Sequence, residues 1–167
     1  SIVSAARPKI ASYPFTTLYP GLGVAEIDNH EFIIADIPGL IKGAHLGSGL
    51  GTRFLGHIER CKVLLHLVDC CDEDPVDSWK TIQNEIKEYG ADLNEKKCIT
   101  VLTKSDALLD ELNIEIEQKL KKAGAKEVYR ISSISNQGVS NLLRKVSETI
   151  INIDKWFWQN IITTTYM

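Results

Sequence analysis

Apolar positions along the chain repeat with two different periods, and the two alternate. From about residue 60 onward, Val63-Leu64-Leu65-His66-Leu67-Val68 forms a short continuous apolar run ending in Asp69, the pattern of a strand covered on both faces. Val76, Trp79, Ile82, Ile86 and Tyr89 then recur at steps of three and four, one stripe of an amphipathic helix that stops at Gly90. Cys98 to Leu102 predicts a second strand. A second helix follows with Ile116, Leu120 and Ala123 inward, Glu115–Lys119 and Glu117–Lys121 outward, and Gly124 at its end. Val128 to Ile131 predicts a third strand, and Val139, Leu142, Leu143, Val146 and Ile150 a third helix.

Strand–helix alternation of this kind implies parallel strands joined by right-handed crossovers. The first third differs: Leu22 to Ile27 and Glu31 to Ile37 read as strands around a hairpin-like turn, Asp28-Asn29-His30. The expected fold is therefore α/β, a mixed and mostly parallel sheet with helices on both faces and one antiparallel pair. No repeat or low-complexity stretch interrupts it.

Composition narrows the class. At 167 residues, with 44% hydrophobic and 25% charged side chains, the chain suits one globular domain and excludes disordered, collagenous and coiled-coil proteins. A net charge of −3 gives no wholesale nucleic-acid footprint. Cys61, Cys70, Cys71 and Cys98 contain no C-x-x-C pair and are expected as buried, reduced thiols of a cytoplasmic protein. No apolar run reaches the roughly 18 residues of a membrane span, and no signal peptide opens the chain. Its start at Ser1, within sequence of structured character, reads as a fragment.

In sheets of this type ligands bind beyond the carboxyl ends of the strands. Asp36-Ile37-Pro38-Gly39 leaves one such end with a carboxylate suited to hydrated Mg²⁺ and a glycine that can approach a terminal phosphate; a plain turn is the alternative. Six of the eleven glycines fall between Gly39 and Gly56, as an order–disorder switch or an exposed loop would have them. Thr103-Lys104-Ser105-Asp106 follows a strand: its aspartate can accept both N–H groups of guanine's N1/N2 edge, and its lysine stem can lie along the base. A helix N-cap at Ser105 or Asp106 is equally compatible. Ile131-Ser132-Ser133-Ile134, with Gly138 beyond, offers backbone donors to a base carbonyl or another helix cap. Tyr13-Pro14-Phe15-Thr16-Thr17 offers a hydroxyl to Mg²⁺ or is simply a loop.

The order and spacing of these four signals resemble those of the GTPase domain of the Obg family of bacterial ribosome-associated GTPases. Ala6 to Leu18, Asp36 to His45, Gly49-Leu50-Gly51 and Phe54 to Arg60 carry the resemblance, which covers residues 1–151; a C-terminal tail, 152–167, has no counterpart. The resemblance implies a small-GTPase-like, P-loop NTPase-like fold. It implies a GTP-binding, GTP-hydrolysing switch that uses Mg²⁺ and is linked to the large ribosomal subunit or its rRNA, here expected as a monomer. Residue by residue it implies a first switch at Phe15, Thr16, Thr17, Leu18 and Tyr19, and Mg²⁺ held by Thr17 and Asp36. Asp36 would act on the ion through water and Gly39 would meet the γ-phosphate, with Ile37 and Pro38 between them in the nucleotide-binding set. Thr103, Lys104, Ser105 and Asp106 would read guanine, with Ser132, Ser133 and Ile134 backing the base.

The sequence departs from that family in three places. No G-x-x-x-x-G-K-[ST] loop occurs, so the strand leading to it and its flanking helix are expected to be missing and nucleotide binding by this chain weak. Thr103 stands where the family usually has asparagine. Leu40 stands where small signalling GTPases place a water-orienting glutamine, so no residue, His45 and His57 included, is assigned as a catalytic base. The tail, with Trp156-Phe157-Trp158 and Ile161-Ile162, reads as the end of a docked helix or an interface. A non-catalytic interaction module that keeps this fold is the competing reading.

Overall fold

The computed structural model describes residues 21–36, 60–89 and 95–153, and the backbone of 161–165. In chain order these form β1 (Gly21–Ile27), β2 (His30–Asp36), β3 (Val63–Asp69), α1 (Pro75–Tyr89), β4 (Lys97–Thr103), a 3-10 turn (Ser105–Ala107), α2 (Asp110–Ala123), β5 (Val128–Arg130), α3 (Val139–Ile153) and β6 (Ile161–Thr165). The six strands make one sheet in the order β1-β2-β6-β3-β4-β5. Among the described residues only β1 and β2 pair antiparallel; every other neighbour pair is parallel.

The two periods seen in the sequence become the two faces of the sheet. Val63, Leu65 and Leu67 of β3, with Ile99 and Val101 of β4, pack on Val139, Leu142, Leu143, Val146 and Ile150 of α3. The intervening residues Val68 and Leu102 pack on the other side against Trp79 of α1 and Leu120 of α2. Successive strand residues point to opposite faces, so a run with no polar gap can serve two helix layers at once. His66 is the polar member of that run. It is buried, its Nδ1 lies 2.9 Å from Gln83 Nε2, its ring stacks on Trp79, and burial pulls its pKa down to about 4.

Local chemistry sets the element ends. Asp74 Oδ1 accepts the N–H groups of Val76 (3.1 Å) and Asp77 (2.9 Å), capping α1 just before Pro75 at its first position. Gly124 ends α2 at φ +117°, its N–H reaching the carbonyls of Leu120 and Lys121. The outward pairs are present: Lys119–Glu115 at 2.8 Å and Lys121–Glu117 at 2.6 Å. The hairpin turn is shorter than the sequence predicts. Asp28 and Asn29 both take positive φ, and His30 already pairs with Ile27, as in a two-residue turn matched to strand twist.

Two expectations are corrected. Among the described residues β6 lies between β2 and β3 and pairs parallel with both, so the sheet is continuous there. The tail contributes that strand where a docked helix end or an interface was expected. Ile161-Ile162-Thr163-Thr164-Thr165 is β-branched throughout, a composition that favours extended backbone over helix. Finally, none of the four cysteines forms a disulfide, as expected, but Cys71 is exposed and Cys98 only partly buried.

Candidate functional site

Because β2, β6, β3, β4 and β5 run in one direction, their carboxyl ends share one edge of the sheet. Asp36, Asp69, Thr103 and Arg130 are the last residues of four of those strands. Of the residues singled out from sequence, Asp36, Thr103 to Asp106 and Ser132 to Ile134 therefore reach the same edge. Phe15 to Tyr19, Ile37 to Gly39 and the glycine-rich stretch to Gly56 lie outside the described residues.

The loop after β4 is fastened on three sides. Thr103 Oγ1 donates to Val68 O at 3.1 Å, and Cys70 Sγ donates to Lys104 O at 3.0 Å, both from the β3 side. Ser105 N–H donates to Ile131 O at 3.1 Å, tying this loop to the one after β5. From beneath, the fully buried Asn113 of α2 donates its Nδ2 to Ser105 O at 2.8 Å. Lys104 sits in the left-handed region (φ 57°, ψ 31°), which turns the chain sharply at the sheet edge. The helix-cap alternative for this segment does not hold. Lys104 occupies the N-cap position of the 3-10 turn, with no side-chain capping bond. Asp106 is exposed, so its carboxylate is open to a ligand.

The loop after β5 turns on Ser132, which is fully buried. Its Oγ accepts the N–H of Ser135 (3.0 Å) and its own N–H donates to Gln137 O (3.0 Å). Ser132 thus shapes its own turn rather than capping α3. Gly138 closes that turn at φ +76°, where a Cβ would stand 2.1 Å from Arg130 O, so only glycine fits. The turn leaves Ser133 and Ile134 exposed at the edge.

Asp36 ends β2 in a different state. It is half-buried, its Oδ1 is buried with no hydrogen-bond partner among the described residues, and burial raises its pKa above the usual carboxylate range. A desolvated carboxylate oxygen with an open lone pair fits a hydrated divalent cation, and so fits the Mg²⁺ implied by the sequence resemblance.

Sequence reading missed Asp69, Cys70 and Asn113. The first two belong to the end of β3, yet they contact Lys104 because Asp69 and Thr103 stand opposite each other in the β3–β4 register. Only that register, which no single strand carries, could have revealed them. Asp69, Cys70 and Cys71 bring one ligand atom each within 4.8 Å of one another. The carboxylate already holds the Lys104 ammonium at 2.6 Å, the wrong neighbour for a metal ion.

Comparison with known proteins gives the family and the fold. The family model described as 50S ribosome-binding GTPase matches residues 1–104, and one described as ethanolamine utilisation – propanediol utilisation matches residues 65–148. GTPase Obg of Rickettsia massiliae (strain Mtu5) is 51% identical over 152 residues, which are 91% of this chain and 46% of that protein. The chain thus spans about half the length of this relative. Among solved structures, the G domain of the T. maritima FeoB iron transporter superposes with a TM-score of 0.62 at 17% identity, over 89% of this chain and 87% of the other, which shows a G-domain fold. By the first of these matches, together with its identity to Obg, the chain belongs to the family of 50S ribosome-binding GTPases.

Proposed function

We propose that residues 1–151 are the nucleotide-binding domain of a GTP-hydrolysing switch, with guanine read by Thr103 to Asp106 and backed by Ser132 to Ile134. The observation that carries this reading is the Ser105–Ile131 backbone bond of 3.1 Å. It joins the two base-reading loops at one sheet edge while the Asp106 carboxylate stays open to an N1/N2 donor pair, which guanine presents and adenine does not. At the same edge Asp36, together with Thr17 from the proposed first switch Phe15 to Tyr19, would hold Mg²⁺. When bound, that ion supplies charge neutralisation at the phosphates. Gly39 would meet the terminal phosphate, with Ile37 and Pro38 leading to it. Leu40 cannot orient a water, so hydrolysis by this chain is expected to be slow without a partner. The Obg likeness supports a role in large ribosomal subunit assembly in the cytoplasm. No described helix is long and apolar enough to cross a membrane.

The competing reading is an interaction module that keeps the fold without binding nucleotide. The two readings separate in an NMR titration with GDP or ADP at millimolar concentration in the presence of Mg²⁺. The switch reading expects amides of residues 103–106 and 132–135 to shift with GDP and not ADP. Asp106→Asn should then move preference toward xanthine nucleotide by at least about tenfold. Equal response to both nucleotides, or to neither, sinks it.

A further inference from the structure

Lys104 is held at both ends of its side chain. At the backbone end, its left-handed conformation is fixed by the Cys70 thiol on its carbonyl at 3.0 Å, with the bonds from Thr103 and Ser105 on either side. At the far end, its ammonium lies 2.6 Å from Asp69 Oδ2. Asp69 is itself oriented, because its other oxygen accepts the N–H of Cys71 at 2.9 Å. A lysine on a protein surface ordinarily samples many rotamers, and ordering it opposes any binding event that needs one of them.

The geometry points to Asp69 as a positioning residue for guanine recognition: it fixes the Lys104 stem in one orientation before nucleotide arrives. The inference rests on the guanine reading of Thr103 to Asp106. Burial alone would push the Asp69 pKa up, but the Lys104 hydrogen bond, the Cys71 hydrogen bonds and the Lys104 charge together outweigh it and hold the carboxyl below its usual range. The same bond raises Lys104 above its own. Both partners therefore stay charged across neutral pH. Both are also partly exposed, and exposed ion pairs add little to global stability. Loss of the carboxylate should thus appear more strongly in the behaviour of Lys104 and in nucleotide affinity than in melting.

The test compares the wild-type chain with Asp69→Asn and Asp69→Glu by two measurements. Competitive acetylation read by mass spectrometry, with exposed Lys122 as internal reference, reports Lys104 without nucleotide. The GDP titration by NMR reports affinity. Asp69→Asn should accelerate labelling of Lys104 severalfold and weaken GDP by about three- to tenfold, and Asp69→Glu should recover part of both. Unchanged labelling in Asp69→Asn overturns the inference alone, as does faster labelling with unchanged GDP affinity. A wild-type chain with no preference for GDP over ADP overturns the guanine reading and this inference with it.

Discussion

Asp36 and Asp69 each end a parallel strand at the same edge of the sheet, and their carboxylates are in opposite states. Asp69 is paired with Lys104 and titrates below the ordinary carboxylate range. Asp36 has a buried oxygen without a described partner and titrates above it. The contrast extends to their surroundings. The ends of β3, β4 and β5 are laced together by Cys70, Thr103, Ser105 and Asn113, so that side of the edge is already shaped. At the end of β2, a desolvated charge is retained with nothing described to compensate it. A folded protein keeps such a group at a cost in stability, which is a common mark of a site that meets a ligand.

The largest expected effect breaks the laced side. Gly138→Ala would force a Cβ to 2.1 Å from Arg130 O at φ +76°, so the loop at Ser132 must move. A loss of roughly 4 kcal/mol in urea unfolding is expected; a loss under about 1 kcal/mol would mean the turn is freely deformable.

A second prediction sharpens the contrast with an unpartnered atom far from the edge. His66 Nε2 is buried without a described partner, and the ring stays neutral down to about pH 4. The unfolded chain takes up that proton below about pH 6.5, so stability is lost as pH falls from there toward 4, by about 3 kcal/mol. His66→Gln should remove this part of the acid dependence. Identical pH slopes for wild type and variant would refute the assignment.

The smallest effects test the two aspartates directly, and they differ in sign. Because the folded-state pKa of Asp36 is raised, its ionisation weakens the fold as pH rises above the ordinary value of 3.8. Asp36→Asn should therefore stabilise the ligand-free chain at neutral pH by about 0.5–1 kcal/mol. Asp69 contributes stability above its ordinary pKa and loses it as pH falls through the lower folded value, so Asp69→Asn should cost at most about 1 kcal/mol. Thermal melts showing both variants shifted in the same direction would erase the distinction.

Much of the scaffold was legible from spacing alone. The apolar run Val63 to Val68, the stripe from Val76 to Ile86 and the α3 set from Val139 to Ile150 each state a period, and burial only realises it. The tail misled because a strand of five β-branched residues has no polar alternation when both its neighbours are strands, and the aromatic cluster beside it suggested docking instead. Of the candidate site, the residue types at the ends of β2, β4 and β5 were readable, because strand ends follow from where the apolar runs stop.

For the segments up to α3, sequence by itself determined which become helix or strand and which chemistry stands at each strand end, since both depend on near neighbours in the chain. Only the tertiary structure decided which of those ends touch. Setting Asp69 beside Lys104, 35 residues apart, took the parallel register of β3 against β4. Closing the sheet between β2 and β3 took pairing on both sides by a segment from the far end of the chain. Such contacts arise from hydrogen-bond register and shared burial, which are properties of pairs of segments and so are written in neither one alone.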